Sequence, residues 1–501
     1  MQQEPGVMQT RGVAIPTATG YQVMEGKGAL VNRNSVFFTF GRGISLIGDG
    51  FYFSTLIVWI TFLTLTDAHT PAQQAAAFAK VAIIQAAIFG VAYLANFLVI
   101  PFVGVFVDRW NRRTTMIISD FAQAFLALLP LGAFFVARDA FLPTIYVSYF
   151  LLIAAQGFFG GSQSGVLQVI VARKNLPQVI SILNVLLGIG GVLGALGAPF
   201  FFLAVGPLIA IVVNAASFLV SATALLFLRV PKEALHPYAY RQTDASADVS
   251  NSVRRVFKDL RHGVRFVFAT RILLGIAIMV VFANAGAAAI NSVATGFFFA
   301  NMHADPVQGV KLLGLLPAGF GVGSIIGALL VGIFAKFIKL KVLALVGILG
   351  AGLGLLVMAS QTTVLSGVLS FALTGIFTGA FNVSYSALVL KVTPNSIIGR
   401  VVGVLVALAT FSAFITAFAV SILVQVDNPA TNPHTPFPNP AVLFTDIFII
   451  AGILVIVASF VGFAFVRNVK EAAAEAESVL ATPAIAVAGA VGTLAAEEGL
   501  V

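Results

Sequence analysis

Cysteine is absent from all 501 residues, which excludes disulfide frameworks, thiol catalysis and thiolate metal sites. Charge is scarce as well. Asp, Glu, Lys and Arg make up 9% of the chain, against about 25% in ordinary soluble domains. A chain that is 59% hydrophobic, with a mean hydropathy of +1.02, has too little polar surface to face water, so lipid is its solvent. Catalytic signatures are missing too. No G-x-x-x-x-G-K-[ST] occurs, so direct ATP drive is not expected. The five His are scattered without an H-E-x-x-H, so no metal site, no cofactor and no enzyme activity is expected. Residues 1–32 lack the apolar core of a signal peptide, and no cleaved leader is expected.

Long apolar runs are what the chain does have. A helix crossing a bilayer needs about 20 apolar residues. Twelve stretches qualify: 35–63, 81–107, 114–137, 141–168, 178–204, 207–228, 272–299, 311–335, 341–359, 362–390, 397–425 and 442–466. With the N-terminus inside, 25 of the 28 Lys and Arg fall on the inner side, and Lys80, Arg138 and Lys311 fall outside. Adding or losing one span would scatter this bias, so the positive-inside rule favours twelve. The net charge of +9 therefore reports topology and contact with anionic lipid, and nucleic acid is not an expected partner. The segment containing Val253, Val256, Phe257, Leu260 and Val264 sets these apolar residues at helical spacing opposite basic ones. It reads as an amphipathic helix on the inner leaflet. The expected organisation is a cytoplasmic segment (1–32), a six-helix half (33–229), a cytoplasmic linker (230–271), a second six-helix half (272–468) and a cytoplasmic tail (469–501). The tail reads as a short helix followed by disorder.

Between spans 2 and 3 the chain reads Gly104, then Asp108-Arg109, then Arg112-Arg113, four charges in six residues. This G-x-x-x-D-R-x-x-R-R resembles the loop signature of major facilitator superfamily transporters. A weaker copy, Gly332 with Lys336, Lys339 and Lys341, lies 228 residues later, as expected of a repeated half. The resemblance covers roughly residues 33–468. It implies an all-α membrane fold of twelve helices in two six-helix halves. It also implies that Gly104, Asp108, Arg109, Arg112 and Arg113 form a conformational latch, with spans 1, 4, 7 and 10 lining the cavity. Trp110-Asn111 stands where the family often has Gly. Arg42 through Asp49, Asn214-Ala215-Ala216-Ser217-Phe218, and Pro394 followed by Gly399-Arg400-Val401 resemble the bacterial macrolide-efflux and enterobactin-exporter group. Two departures weaken the exporter inference: span 5 lacks the usual Gly-Pro pair, and Ile153 stands where many proton antiporters carry arginine.

Asp120 lies seven residues after Arg113, two turns along the same helix face, and is the expected partner of that arginine; simple topogenic charge is the alternative. Asp49 lies near the middle of span 1 within Gly48-Asp49-Gly50. A carboxylate at that depth costs about 2.5–3.5 kcal/mol on insertion scales, so it must be paired, protonated or facing water. It is read either as a proton-coupling or substrate residue, or as a structural partner of Arg42, seven residues earlier. Tyr52, Gln156, Gln163, Asn284, Asn291, Asn382 and Tyr385 are the cavity candidates; the amides are equally readable as hydrogen bonds between helices. The glycines of span 5 (Gly190, Gly191, Gly194, Gly197) and span 8 (Gly319, Gly321, Gly323, Gly327) have no strand before them, so close packing and bending between halves is expected rather than dinucleotide binding.

The expected function is alternating-access secondary transport: export of an amphipathic small molecule, of drug or siderophore type, driven by protons at Asp49. The expected setting is a multi-pass monomer in the bacterial cytoplasmic (inner) membrane, with both termini cytoplasmic and with substrate, protons and membrane lipid as partners. The rivals are a facilitator or importer of another cargo, such as a lysolipid, metal ion or metabolite, and a non-transporting membrane receptor.

Overall fold

The computed structural model describes residues 32–66, 68–107, 110–172, 175–229, 249–302, 306–394, 397–426 and 440–466. The expectations for Asp108, Arg109, most of residues 1–32 and 230–248, and the tail from 467 lie outside them. Among the described residues the chain is helical, and twelve helices are long and apolar enough to cross a membrane. The first half comprises α1 (Arg33–Leu65), α2 (Pro71–Val107), α3 (Arg112–Val136), α4 (Phe141–Ile170), α5 (Leu176–Val205) and α6 (Pro207–Leu226). The amphipathic α7 (Val249–Ala269) follows. The second half holds α8 (Arg271–Asn301), a short α9 (Pro306–Leu312), α10 (Leu315–Phe334), α11 (Leu340–Ala359), α12 (Val364–Val392), α13 (Ile398–Val426) and α14 (Pro440–Phe465).

Two boundaries differ from expectation. The second helix begins at Pro71, ten residues before the apolar run at 81, because Ala75–Ala79 favour helix although Gln73, Gln74 and Lys80 break the hydropathy. The eighth span begins at Leu315, and Lys311 belongs to the separate α9. By contrast, the break at Gly206-Pro207 is sharp. Gly206 takes φ +80°, open to glycine at no steric cost, and Pro207 starts α6 at the position where its missing N–H is no loss.

The glycines act mainly within each half. A Cβ on Gly194 would run into the backbone of Gly50, so α5 crosses α1 in direct backbone contact. Gly319, Gly323 and Gly327 seat α10 on Val368, Ala372 and Ile376 of α12, one residue per turn. Between the halves, Gly321 meets Val192 and Gly188 meets Ile325, joining α5 to α10. The other seam is α2 against α8 and α13. There Phe78 stacks on Phe299 with ring centroids 5.7 Å apart, and Phe97 meets Phe411 at 5.0 Å.

One end of the molecule, the loop end, carries the α2–α3, α10–α11 and α12–α13 turns together with α7. The main apolar core fills the second half and joins the first half through the far parts of α1 and α2, including Tyr52, Trp59, Ala82 and Ile88. The loop-end parts of α1, α3, α4, α5 and α6 keep a separate core around Phe38, Met116, Phe159 and Leu225. Among the described residues, no buried apolar cluster joins the halves at the loop end. α7 packs on the second half: Phe266 and Val267 are buried, and Gly263 rests on the backbone of Arg400 in α13. Val264, placed on the apolar face by its spacing, remains exposed.

Candidate functional site

At the loop end, the polar residues of the first half hold its helices together. Asn111 caps α3 by accepting the Thr114 N–H at 3.1 Å. Trp110 stacks on Phe158 of α4 at 5.9 Å. These two residues, which depart from the family's glycine, thus have defined jobs. Asn32 donates to the Ile170 carbonyl at 2.8 Å, closing the end of α4. Asn34 and Arg229 exchange two hydrogen bonds.

Arg113 does not meet Asp120, contrary to the spacing argument. Its Nε donates to the Leu225 carbonyl at 2.9 Å, and its second nitrogen donates to the Leu226 carbonyl. A guanidinium that donates to two carbonyls at a helix C-terminus also meets the negative end of the helix dipole. One face shared along α3 does not outweigh this, because α6 ends beside the first turn of α3. The Arg112 guanidinium lies against Gly165 of α4, in the space a Cβ there would take. Gly104 sits in the last turn of α2.

A cavity of about 850 Å³ opens within the first half, between α1, α2, α4 and α5. It runs from Tyr52 and Tyr149 toward Val107 and Ser164, that is, toward the loop end. Asp49 lies halfway along the 33-residue α1 and lines the wall, where its Oδ2 accepts from Gln156 Nε2 at 3.1 Å. Arg42 lines the wall too. Its guanidinium donates to Ser45 Oγ at 3.2 Å and lies 4.5 Å from the Phe159 ring, a cation–π placement. It acts on Asp49 through space. Tyr52, Phe53 and Tyr149 add aromatic surface, and Asn96, which the sequence reading missed, adds an amide. Asn96 is one polar residue in an apolar run, and its face was not readable until α2 was placed against α4.

The remaining cavity candidates lie elsewhere. Gln163 is not among the lining residues, and its Oε1 is buried without a partner. Asn284 donates to its own helix at Val280. Asn291 donates to Tyr93 Oη at 3.3 Å and so ties α8 to α2. Asn382 is exposed, and Tyr385 packs on Phe381 at 5.1 Å. Spans 7 and 10 contribute no lining residue to this cavity, whose walls come from α1, α2, α4 and α5. No group of three or more metal-binding side chains occurs among the described residues.

Comparison with known proteins agrees with this architecture. The model of the Major Facilitator Superfamily matches residues 38–303 and 276–494. A Bacillus subtilis (strain 168) protein described as an uncharacterized MFS-type transporter, YkuC, is 25% identical over 317 residues, 61% of this chain and 69% of its own length. Among solved structures, a bacterial homologue of the human lysosomal transporter Spinster, inward-facing and unoccupied, superposes with a TM-score of 0.61 at 12% identity, covering 88% of this chain and 97% of that one. The xylose transporter XylE from E. coli in its inward-open conformation gives 0.57 at 15% identity, covering 87% and 99%. The nucleoside transporter NupG gives 0.58 at 14% identity, covering 87% and 99%. At these identities the structures share the fold.

Proposed function

The chain belongs to the Major Facilitator Superfamily and is a multi-pass membrane transporter, not an enzyme; from that premise we propose that it exports an amphipathic cation in exchange for protons. The observation that carries this reading is Asp49: a carboxylate halfway along an apolar helix long enough to span a membrane, at the wall of a cavity, hydrogen-bonded to a neutral amide. A carboxylate in such a place is a functional group by default. The aromatic wall of Tyr52, Phe53 and Tyr149 suits a flat apolar body, and Asp49 suits one positive charge. Proton and substrate compete for that charge, so binding one releases the other. The loop end is the cytoplasmic side by the distribution of Lys and Arg. On that reading the cavity loads from the cytoplasm, and both termini lie there. Membership of the macrolide-efflux and enterobactin-exporter branch is part of the same proposal, supported by the residues flanking Asp49 and Asn214.

The test is accumulation of a panel of macrolides, cationic dyes and siderophores in an efflux-deficient bacterial host. Wild type is expected to lower accumulation of at least one compound and Asp49→Asn to abolish that effect, with both proteins at equal level in the membrane. Equal accumulation with and without the wild-type protein across the panel would sink the export reading. Proton-independent export by Asp49→Asn would sink the coupling assignment.

A further inference from the structure

The charge around the cavity does not end at its wall. Asp120 of α3 is 0% exposed, and neither carboxylate oxygen receives a well-formed hydrogen bond. Ser221 of α6, itself buried, stands beside it. Next to Ser221 comes α1: a Cβ on Gly41 would lie 3.2 Å from the Ser221 Cα. The residue after Gly41 is Arg42, and its guanidinium acts electrostatically on both Asp49 and Asp120. Gly48 brings the same face of α1 onto Asn214 and Ser217, and the Nδ2 of Asn214 is buried without a partner. A polar seam thus runs from the cavity wall, behind α1, to a sealed carboxyl.

Among the described residues, Arg42 is the cation that acts on that carboxyl. α4 and α6, which pack on α3, carry no Asp, Glu, Lys, Arg or His between 141 and 170 or between 207 and 226; their only titratable side chains are Tyr146 and Tyr149. α5, which packs on α1, carries no charge between 176 and 205. On α3 itself, Arg112 is held against Gly165 and Arg113 on the carbonyls of α6. Two carboxyls therefore share one guanidinium, and that guanidinium is parked on Phe159 rather than on either of them. Two ionised acids here would leave a buried, uncompensated negative charge, which is expensive.

We infer that Asp49, Arg42 and Asp120 form a shared-charge triad, and that Asp120 is a second proton-binding site sealed behind the cavity. One proton is held between the two carboxyls, and Arg42 serves the ionised one. When the proton passes from the Asp120 carboxyl to the Asp49 carboxylate, the negative charge moves the other way and the guanidinium keeps its own proton. Substrate charge at Asp49 is thereby felt at α3, whose first turn grips α4 and α6. This inference rests on Asp49 as the coupling group.

Its test needs no substrate. The full chain is reconstituted in phosphatidylethanolamine–phosphatidylglycerol bilayers, and the carboxyl C=O stretch, shown only by protonated acids, is followed by infrared spectroscopy across a pH titration. Asp120→Asn is expected to remove one protonated-carboxyl signal. Asp49→Asn is expected to move the titration midpoint of the remaining Asp120 signal by about one pH unit or more, as coupled sites require. Ser221→Ala keeps every charge and guards against misfolding; it should shift the frequency of the Asp120 signal alone. No lost signal in Asp120→Asn, a midpoint untouched by Asp49→Asn, or no response in Ser221→Ala would each overturn the triad. Export that depends on Asp49 while Asp120 stays silent would remove the triad and leave the transport reading standing. A responding triad in a protein that exports nothing would do the reverse.

Discussion

Arg113 shows how a single side chain can be read correctly as important and wrongly as to partner. Its two hydrogen bonds go to carbonyls at the end of α6, so it is a cap across helices. Hydrogen bonds to a charged group contribute about 1.5–3 kcal/mol, and partial exposure puts this one at the lower end. Arg113→Ala should therefore lower the thermal midpoint of the purified protein by several degrees, with Arg113→Lys keeping part of the loss back. If Arg113→Ala melts like wild type, the capping account is wrong. Spacing on one helix face says which residues share a side. It says nothing about which neighbouring helix ends there. That is why Asp49 could be picked from the sequence as a midplane acid, while its hydrogen bond from Gln156 of α4 could not.

Helices meet in this protein through glycine, and the glycines divide by what faces them. Gly194 and Gly327 lie against the backbones of Gly50 and Ile376, with no space for a methyl group, whereas Gly132 on α3 has nothing within 4 Å of a would-be Cβ. Gly327→Ala should destabilise by about 1–3 kcal/mol through overpacking. Gly132→Ala should be neutral or stabilise by up to about 1 kcal/mol, since Ala is the better helix former. Chemical or thermal denaturation in detergent compares the two; equal effects would contradict the packing described. Both residues sit among apolar neighbours in sequence, so only the facing backbone tells them apart. The contacts also revise where the glycine-rich spans act. Most of them bind helices within a half, while Gly188, Gly314 and Gly321 reach the other half.

At the scale of the whole molecule, the halves share an apolar core at the far end and none among the described residues at the loop end. Alternating access requires the far-end seam to open. A short bismaleimide bridging Phe78→Cys and Phe299→Cys should therefore hold the protein with its loop end open; native cysteine, being absent, adds no background. In that bridged protein, a third cysteine at Ser164, on the cavity wall, should label with a water-soluble maleimide at least as fast as in the unbridged protein. Slower labelling would show that the bridge closes the cavity and that the seam is not the far gate.

Composition and periodicity by themselves determined that this chain lives in lipid, crosses it twelve times and carries a carboxylate midway through its first span. Those properties depend on local hydropathy and charge, which each segment carries on its own. Only the tertiary structure decided which polar residues meet water in a cavity and which close hydrogen bonds between helices. It also decided that Arg113 caps α6 while the Arg42 guanidinium lies over the Phe159 ring. In lipid every long helix is apolar on most faces, so hydrophobic periodicity no longer distinguishes inside from outside. The choice of neighbour falls to close backbone contact and to the few polar groups that need a partner.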